Sequence, residues 1–157
     1  MTPKTVRESQ SQLSELVLPN DANALGNLLG GKLMHLMDIA GSLAASRHAR
    51  AFVVTASFDH MNFLAPVHIG QLVVLDSSVN RAFRTSMEVG VKALVEDLRT
   101  GERKHVSSAY LTFVALDENR KPILVPPIVP ETDEERRRYE QAGERRAYRL
   151  EQLATGH

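Results

Sequence analysis

Hydrophobic positions change their spacing near residue 50 of this chain. Between residues 31 and 48, apolar residues fall on nearly all faces of a helix, a pattern that is typical of a buried helix. From Ala51 onward the period changes to two, so Val53, Thr55 and Ser57 alternate with Val54, Ala56 and Phe58. The alternation is most regular from Met87 to Val95. Long strands joined by tight turns favour an antiparallel sheet. The pattern predicts strands over 11–18, 51–58, 71–80, 87–95 and 105–116.

The two ends of the chain differ from this central part. Residues 1–10 are polar and predict a disordered lead-in. Four prolines after residue 121 predict an extended segment that cannot join the interior of a sheet. Thr132 is then a candidate N-cap for a helix rich in Glu and Arg, because three acidic residues follow it. We therefore expect a lead-in (1–10), one central domain (11–121) and a Pro-rich segment with a charged helix (122–157).

The predicted order is strand, long loop, buried helix, four strands and polar helix. One long apolar helix against a curled antiparallel sheet is an α+β arrangement, and it is the layout of the hotdog fold. At this size such a sheet cannot bury both sides of its helix and protect its own edges. We therefore expect two copies to dimerise through an edge strand.

Composition narrows the class of protein. The 157 residues are enough for one domain, and 43% hydrophobic with 24% charged residues is typical of a folded one. Nineteen basic and nineteen acidic residues balance, which argues against nucleic-acid binding. The chain has no cysteine, which excludes disulfides, thiolate metal sites and cysteine nucleophiles. With a polar N-terminus and no apolar run of membrane-spanning length, we expect a cytoplasmic protein without membrane insertion.

Asp38 lies in the middle of the otherwise apolar helix. Burying an ionised carboxylate without partners costs several kcal/mol, so the residue requires a reason. One reason is structural, a hydrogen bond with Ser42 or with a backbone group near the sheet. The other is chemical, since a carboxylate in a partly apolar cleft can act as a general base. The residues leave both interpretations open.

Gly30 and Gly31 immediately precede the helix. Glycines there let a substrate approach the backbone, and the first amides of a helix are unpaired donors. Aimed at a substrate carbonyl, such amides would stabilise the oxyanion formed on attack by water, although a plain tight turn is the alternative. In the preceding loop, Asn23 and Asp21 have the same two interpretations, a functional group or a turn-forming side chain.

Other polar residues offer weaker candidates. His35 lies three residues before Asp38, so an acid–base pair is conceivable, but a lone His-x-x-Asp lacks the further ligands of a metal site. His48, at the end of the helix, is expected to contact the terminal carbonyls. Ser57 and Ser86 lack the nucleophile-elbow pattern, which argues against a serine hydrolase.

Several spaced motifs occur in one order along the chain. They are Asp21-x-Asn23-x-x-Gly26, Gly30-Gly31, Leu36-Met37-Asp38, Val54-Thr55-Ala56-Ser57-Phe58-Asp59, Asn62-Phe63, Gly70, Thr85-Ser86-Met87-Glu88-Val89 and Val129-Pro130-Glu131-Thr132-Asp133-Glu134-Glu135. This series resembles the acyl-CoA hydrolase family, which includes the bacterial YciA-like thioesterases and the brain-type cytosolic acyl-CoA hydrolase. The resemblance runs from residue 10 to residue 140.

The resemblance implies a hotdog protomer that dimerises, usually onward to a trimer of dimers, with the active site at the dimer interface. It implies hydrolysis of acyl-CoA to free fatty acid and coenzyme A, with no cofactor apart from the coenzyme A of the substrate. Asn23 and Asp38, contributed by opposite subunits, are the implied functional pair. Asp38 would be the general base or the nucleophile, Asn23 would orient the water or the carbonyl, and Gly30 and Gly31 would supply backbone donors. His35 inherits no role.

Coenzyme A needs a site for its phosphates. Arg84, Thr85 and Ser86 begin a strand with one cation and two hydroxyls, which suits the phosphate end of the ligand. Arg81 lies nearby, and the alternative for these residues is an exposed arginine at a turn. Apolar residues of the helix and strands either line an acyl tunnel or belong to the core, with Met34 and Phe63 as examples.

Two other functions compete with the hydrolase. A hotdog enoyl-thioester hydratase or dehydratase depends on a histidine with an acid in the site, for which His35 is the only support. A non-catalytic acyl-CoA sensor is the second alternative, although a transcriptional one would need a DNA-binding module for which the chain has little room. A structural domain with a decayed site is disfavoured by the joint presence of Asn23, Gly30, Gly31 and Asp38.

Overall fold

A five-stranded antiparallel sheet curls around one long helix, and a second helix lies on the other face of the sheet. The computed structural model describes residues 1–59 and 61–156. In chain order the elements are β1 (Lys4–Thr5), β2 (Ser11–Leu16), α1 (Gly30–Ala49), β3 (Phe52–Asp59), β4 (Leu72–Ala82), β5 (Ser86–Glu96), β6 (Arg103–Leu116), β7 (Ile128–Val129) and α2 (Asp133–Ala154). The large sheet has the order β2-β4-β5-β6-β3, and β1 pairs in parallel with β7. This architecture confirms the predicted order of elements and the hotdog layout.

The faces of the sheet follow the period of two in the sequence. On β5, Met87, Val89 and Val91 are buried in the core beneath α1. Gly41 of α1 lies so close to the sheet that a Cβ atom there would be 3.0 Å from the ring of Phe113 and 3.5 Å from Val91. Because glycine has no side chain, the helix backbone can approach the strands closely.

Helix α1 buries only one of its faces, so the prediction of a helix buried on all sides is wrong for a single chain. The sheet wraps around one side of the helix and leaves the other open. Met34, Ile39 and Leu43 are exposed on that open side. The residues of α1 that are buried are Leu33, Leu36, Met37, Ala40, Gly41, Ala44, Ala45 and His48.

A β-bulge interrupts the alternation of β3. Thr55 pairs with Phe113 of β6 and Ser57 pairs with Thr112, so Ala56 is the extra residue. The sequence pattern predicts Thr55 and Ser57 on one face, which is wrong. Phe113 is a core residue on the α1 side and Thr112 belongs to the opposite face, so the bulge turns Thr55 towards α1 and Ser57 away from it.

Residues 4–9 belong to the fold, and the prediction of a disordered lead-in is wrong. Val6 is buried, and the backbone of β1 pairs with β7. Ser9 is fully buried and its hydroxyl accepts a hydrogen bond of 2.9 Å from the amide of Val79 on β4. The segment also closes the end of α1, because Lys4 Nζ donates to the carbonyl of His48 at 2.8 Å.

Helix α2 docks on the face of the sheet that is opposite to α1. Thr132 caps it as predicted, with its hydroxyl accepting from the amide of Glu135 at 3.0 Å. Ala142 is its one fully buried residue, and Arg145 forms an ion pair with Glu88 of β5. The prediction of a charged helix at the end of the chain is confirmed. Within the described residues, neither helix is long and apolar enough to cross a membrane.

Candidate active site

Asp38 and Thr55 meet where α1 crosses β3. Thr55 Oγ1 donates a hydrogen bond of 2.5 Å to Oδ1 of Asp38. Neither Ser42 nor His35 is a partner of Asp38. The hydroxyl of Ser42 donates to the carbonyl of Ile39 at 2.7 Å, and His35 is exposed. The bond from Thr55 holds the carboxylate in one orientation and leaves Oδ2 available for a second interaction.

Asp38 is half-buried and lies on the open side of α1. It is therefore less enclosed in a single chain than the pattern of the helix predicts. Met34, four residues before it on the helix, and Ile39, the next residue, are exposed apolar neighbours. The carboxylate is thus accessible to a water molecule and to a ligand with an apolar part.

The N-terminus of α1 presents unpaired amides. Leu29 is the N-cap residue and its side chain makes no capping bond. In the part of the chain that the structure describes, the amides of Gly30, Gly31 and Lys32 have no acceptor. A Cβ atom at Gly31 would have no neighbour within 4 Å, whereas one at Gly30 would lie 3.4 Å from the ring of Phe63. The backbone amide of Gly31 is therefore free to donate to an oxygen atom of a ligand.

The loop before α1 is held by its own polar side chains. Asn23 Oδ1 accepts from the amides of Leu25 at 2.9 Å and Asn27 at 3.2 Å, which is a turn-forming role. Its side-chain nitrogen has no acceptor among the described residues, so it remains able to donate. Asp21 accepts from the amide of Leu18 at 3.3 Å, so its turn-forming interpretation is confirmed.

Two of the histidines are now placed. His48 is fully buried, and its Nε2 lies 2.6 Å from the carbonyl oxygen of Pro126, so the prediction that it contacts the end of its own helix is wrong. Burial lowers the pKa of the His48 imidazole, while the hydrogen bond with Pro126 opposes that shift. His48 therefore belongs to the packing of the Pro-rich segment. His35 is exposed on α1 and makes no hydrogen bond within the described chain.

The residues expected to hold the phosphates of coenzyme A divide into two groups. Arg84 is exposed and Thr85 is half-buried. Ser86 is only 8% exposed, and its hydroxyl accepts from Arg146 of α2 at 3.4 Å, so it serves the docking of that helix instead. Arg81 has a similar role, because its guanidinium lies 4.0 Å from the ring centroid of Tyr139 on α2.

One chain does not bring all candidate groups to one point. Gly31 and Asp38 are seven residues apart on α1, which corresponds to about 10 Å along the helix axis. Oxyanion donors lie about 3 Å from their oxygen atom. The predicted donors and the predicted base of a single chain are therefore too far apart to share one thioester carbonyl comfortably.

Met34 and Phe63 are both exposed in a single chain, so the core interpretation is wrong for these two residues. Thr55 is the residue that sequence reasoning missed. Its only signal is a hydroxyl on a strand next to the helix, and the bulge after it, which puts Thr55 and Ser57 on opposite faces, has no signature in the sequence. Among the described residues, no group of three or more His, Asp or Glu side chains is arranged to hold a metal ion.

The curled sheet around a single helix is the fold of the hotdog thioesterases, and the sequence agrees with that class. The model of the thioesterase superfamily matches residues 25–102. The uncharacterized acyl-CoA thioester hydrolase YkhA of Bacillus subtilis (strain 168) is 46% identical over 136 residues, which are 85% of this chain and 79% of that protein. The chain belongs to the acyl-CoA thioester hydrolases of the thioesterase superfamily.

Solved structures show the same relationship. The acyl-CoA hydrolase from Bacillus cereus superposes with a TM-score of 0.92 at 39% identity, over 99% of this chain and 94% of that one. The Staphylococcus aureus acyl-CoA hydrolase, solved with butyryl coenzyme A and coenzyme A, has a TM-score of 0.87 at 36% identity, over 97% and 95% of the two chains. Alanine variants of that enzyme at an aspartate, an asparagine and a threonine have also been solved.

Mammalian relatives are longer. The chain matches mouse acyl-coenzyme A thioesterase 11 at 40% identity over 87% of its own length, but it spans only 23% of that protein. The shared part is therefore one unit within a larger protein.

Proposed function

We propose that this protein hydrolyses acyl-CoA thioesters, with Asp38 as the general base and Thr55 as its positioning residue. The observation that carries the proposal is the hydrogen bond of 2.5 Å from Thr55 Oγ1 to Asp38 Oδ1 on the open side of α1. The bond orients the carboxylate, and its second oxygen is left to accept the proton of a water molecule.

The reaction follows from these positions. Asp38 takes a proton from water while the water oxygen attacks the thioester carbonyl carbon. The carbonyl oxygen becomes an oxyanion, which the free amides at Gly30 and Gly31 stabilise. The tetrahedral intermediate then collapses, the carbon–sulfur bond breaks, and the proton held by Asp38 passes to the leaving thiolate of coenzyme A. The products are a fatty acid and coenzyme A.

We propose that the donors and Asn23 come from the opposite subunit. The separation of about 10 Å between Gly31 and Asp38 along α1 supports this arrangement. A second copy across a two-fold axis would place its own α1 N-terminus near Asp38. The side-chain amide of Asn23 would then donate to the carbonyl or to the water, while its oxygen continues to form the turn.

The edge of β3 supports a dimer of this kind. Natural edge strands are protected by charged side chains, prolines or a cover. From Phe52 to Phe58, β3 carries no charged residue, whereas the other edge strand, β2, carries Glu15, which pairs with Lys32 at 3.2 Å. Antiparallel pairing of two β3 strands would give partners to the unpaired backbone N–H and C=O groups of this edge. It would also bring the exposed sides of two α1 helices to the same interface.

Relatives support the same residues and the same assembly. In the Staphylococcus aureus hydrolase, the intervals between the substituted asparagine, aspartate and threonine equal those between Asn23, Asp38 and Thr55. Two solved thioesterases, one of them from Yersinia pestis, are described as hexameric. We extend the proposal to a trimer of dimers and, since a rat relative is named cytosolic, to fatty acid metabolism in the cytoplasm.

For the phosphates of coenzyme A, Arg84 is the strongest of the proposed contacts. Its guanidinium is exposed and makes no ion pair within the described chain. Thr85 is its hydroxyl partner in the proposal, and Ser86 is left out because Arg146 occupies it.

The experiment that tests the base is the release of free thiol from acyl-CoAs of short, medium and long chains. Asp38→Asn is nearly isosteric and cannot accept the proton, so the variant should bind acyl-CoA and lose roughly 10²-fold or more in kcat. Equal rates for both proteins would make Asp38 structural. Binding without turnover by the wild type would favour the sensor, and hydration of an enoyl-CoA would favour the hydratase.

A mixing experiment tests the shared site. Asp38→Asn and Asn23→Ala are expected to be inactive alone. A mixed dimer contains one site with both native residues if Asn23 and Asp38 come from opposite subunits, so subunit exchange should restore about a quarter of the wild-type activity. If both residues act within one chain, no mixture will recover activity. Asp38→Asn mixed with Asp38→Ala is the control, because it contains no intact site in either arrangement.

A further inference from the structure

Helix α2 crosses the outer face of the sheet towards the open edge at β3. Near its start, Tyr139 contacts Arg81 of β4, with the guanidinium 4.0 Å from the ring centroid. Further along, Arg145 pairs with Glu88 of β5 at 2.7 Å. Arg149 then pairs at 3.0 Å with Asp59 of β3. β3 is the last strand of the sheet on that side. The helix continues to Ala154, five residues beyond Arg149.

The side of α2 that faces the sheet, called the docking stripe below, continues to the end of the helix. Ala142, Arg146 and Arg149 lie on one side of the helix and contact the sheet or are buried against it. Leu153 continues that stripe, four residues after Arg149, yet it is 72% exposed. From Arg145, which pairs with β5, the helix runs nine residues further to Ala154, or about 13.5 Å, and a strand added beside β3 would lie three strand spacings from β5, or about 14.4 Å. The side chain of Leu153 can therefore reach a further strand beside β3.

The outer face of β3 has a matching apolar surface. Val54 is directly opposite Val114 of β6, which in turn pairs with Ser86, and Ser86 contacts α2 on the outer face. Val54 and Phe52 therefore point to the same side of the sheet as α2. They are 47% and 70% exposed, and α2 of their own chain contacts the other end of β3, through Arg149 at Asp59.

Antiparallel pairing brings these two surfaces together. When two β3 strands pair in opposite directions, the Phe52 end of one strand lies beside the Asp59 end of the other. We infer that the end of α2, through Leu153, packs on Phe52 and Val54 of the second subunit, so that each α2 clamps the partner's edge strand from outside. The inference rests on the β3 dimer of the proposed function and adds a second contact to it.

Crosslinking tests the contact directly, because the chain has no cysteine of its own. Leu153→Cys combined with Val54→Cys, or with Phe52→Cys, should form a disulfide between chains under mild oxidation, visible as a covalent dimer in a non-reducing gel and identified by peptide mass. Each single-cysteine variant, and Leu98→Cys combined with Val54→Cys, are the controls. Leu98 is also exposed, at 55%, but lies in the turn between β5 and β6.

Light scattering on the wild type distinguishes the failure of the α2 contact from the failure of the β3 dimer on which it rests. A dimeric or larger protein in which neither double variant crosslinks between chains would overturn the clamp and leave the β3 dimer standing. A monomer would overturn both. Leu153→Glu should weaken dimerisation by at least about 10-fold, since an apolar side chain leaves its contact. Leu98→Glu should have no effect, and an equal effect of the two variants would contradict the inference.

Discussion

Arg145 of α2 makes two hydrogen bonds to Glu88 of β5, from Nε to Oε1 at 2.7 Å and from Nη2 to Oε2 at 2.8 Å. Glu88 is fully buried, and Asn80 donates to it a third bond of 2.9 Å. The same guanidinium lies 3.7 Å from the ring centroid of Tyr110. A buried carboxylate of the sheet is thus satisfied largely by a helix that arrives from the end of the chain, so the docking of α2 and the burial of this charge depend on each other.

Removing the cation of this pair should be costly. In Arg145→Met the side-chain volume is similar, but Glu88 keeps only the bond from Asn80 while remaining out of water. Breaking a buried pair by removing one partner typically costs about 3 kcal/mol or more. We expect the free energy of unfolding, measured with urea, to fall by that amount.

The matched control for this change is Arg137→Met. Arg137 is on the same helix, and its pair with Glu134 is exposed and 3.5 Å long. Exposed pairs contribute about 0–1 kcal/mol, so the variant should be nearly as stable as the wild type. Equal losses for both variants would mean that α2 is destabilised generally and that Glu88 does not depend on Arg145.

The buried His48 should make stability depend on pH. Burial lowers its pKa below the unfolded value of 6.5, so the folded state favours the neutral ring. The stabilisation is complete above pH 6.5 and is lost as the pH falls towards the folded pKa, because the unfolded chain then binds the additional proton. We expect the melting temperature to decrease from pH 7 to pH 5, and His48→Gln to make that decrease smaller.

His35→Gln is the control for this pH dependence. His35 is exposed on α1, so its replacement should leave the slope of melting temperature against pH as in the wild type. An unchanged slope in His48→Gln would show that other groups cause the pH dependence.

Packing of α1 on the sheet leads to another expectation. Gly41→Ala improves helix propensity by up to about 1 kcal/mol, but the new Cβ would lie 3.0 Å from the buried ring of Phe113. Overpacking of this kind costs about 1–3 kcal/mol, so we expect a net loss of stability in urea denaturation. Gly31→Ala is the comparison, because a Cβ there has no neighbour within 4 Å, and it should not destabilise the fold. A stabilised Gly41→Ala would show that Phe113 moves aside without cost.

The order of helices and strands was predictable because the hydrophobic period changes clearly along the chain. The role of residues 4–9 was not. Val6 is the one apolar residue among them, and its burial depends on β7, which is distant in sequence. The exposed side of α1 was not predictable either. An apolar residue such as Ile39 looks the same in the sequence whether its own sheet or a second copy of the chain covers it.

The site shows the same division. Asp38 could be identified from the sequence because a charge is unusual in an apolar helix, and the turn-forming role of Asn23 follows from its residue type and loop position. Thr55 could not be identified, because its partner lies on another element and the bulge at Ala56 reverses the expected alternation. Periodicity predicts which face a residue occupies only while the register is regular.

Thr55 therefore provides the sharpest test of how the site is built. Thr55→Val keeps the shape of the side chain and removes the hydroxyl that donates to Asp38. The carboxylate then loses its fixed orientation, and a misplacement of the base of about 1 Å can cost on the order of 10²-fold in rate. We expect kcat to fall by about 10- to 100-fold with little change in KM, measured by thiol release.

Thr55→Ser separates positioning from packing. Serine retains the hydroxyl but loses the methyl group, so it should recover most of kcat even if stability falls slightly. A general structural role would give the reverse order, with valine more active than serine, because valine preserves the volume and suits a strand better. If both variants keep wild-type kcat, the hydrogen bond between Thr55 and Asp38 does not contribute to the reaction, and the orientation of the base must come from the second subunit.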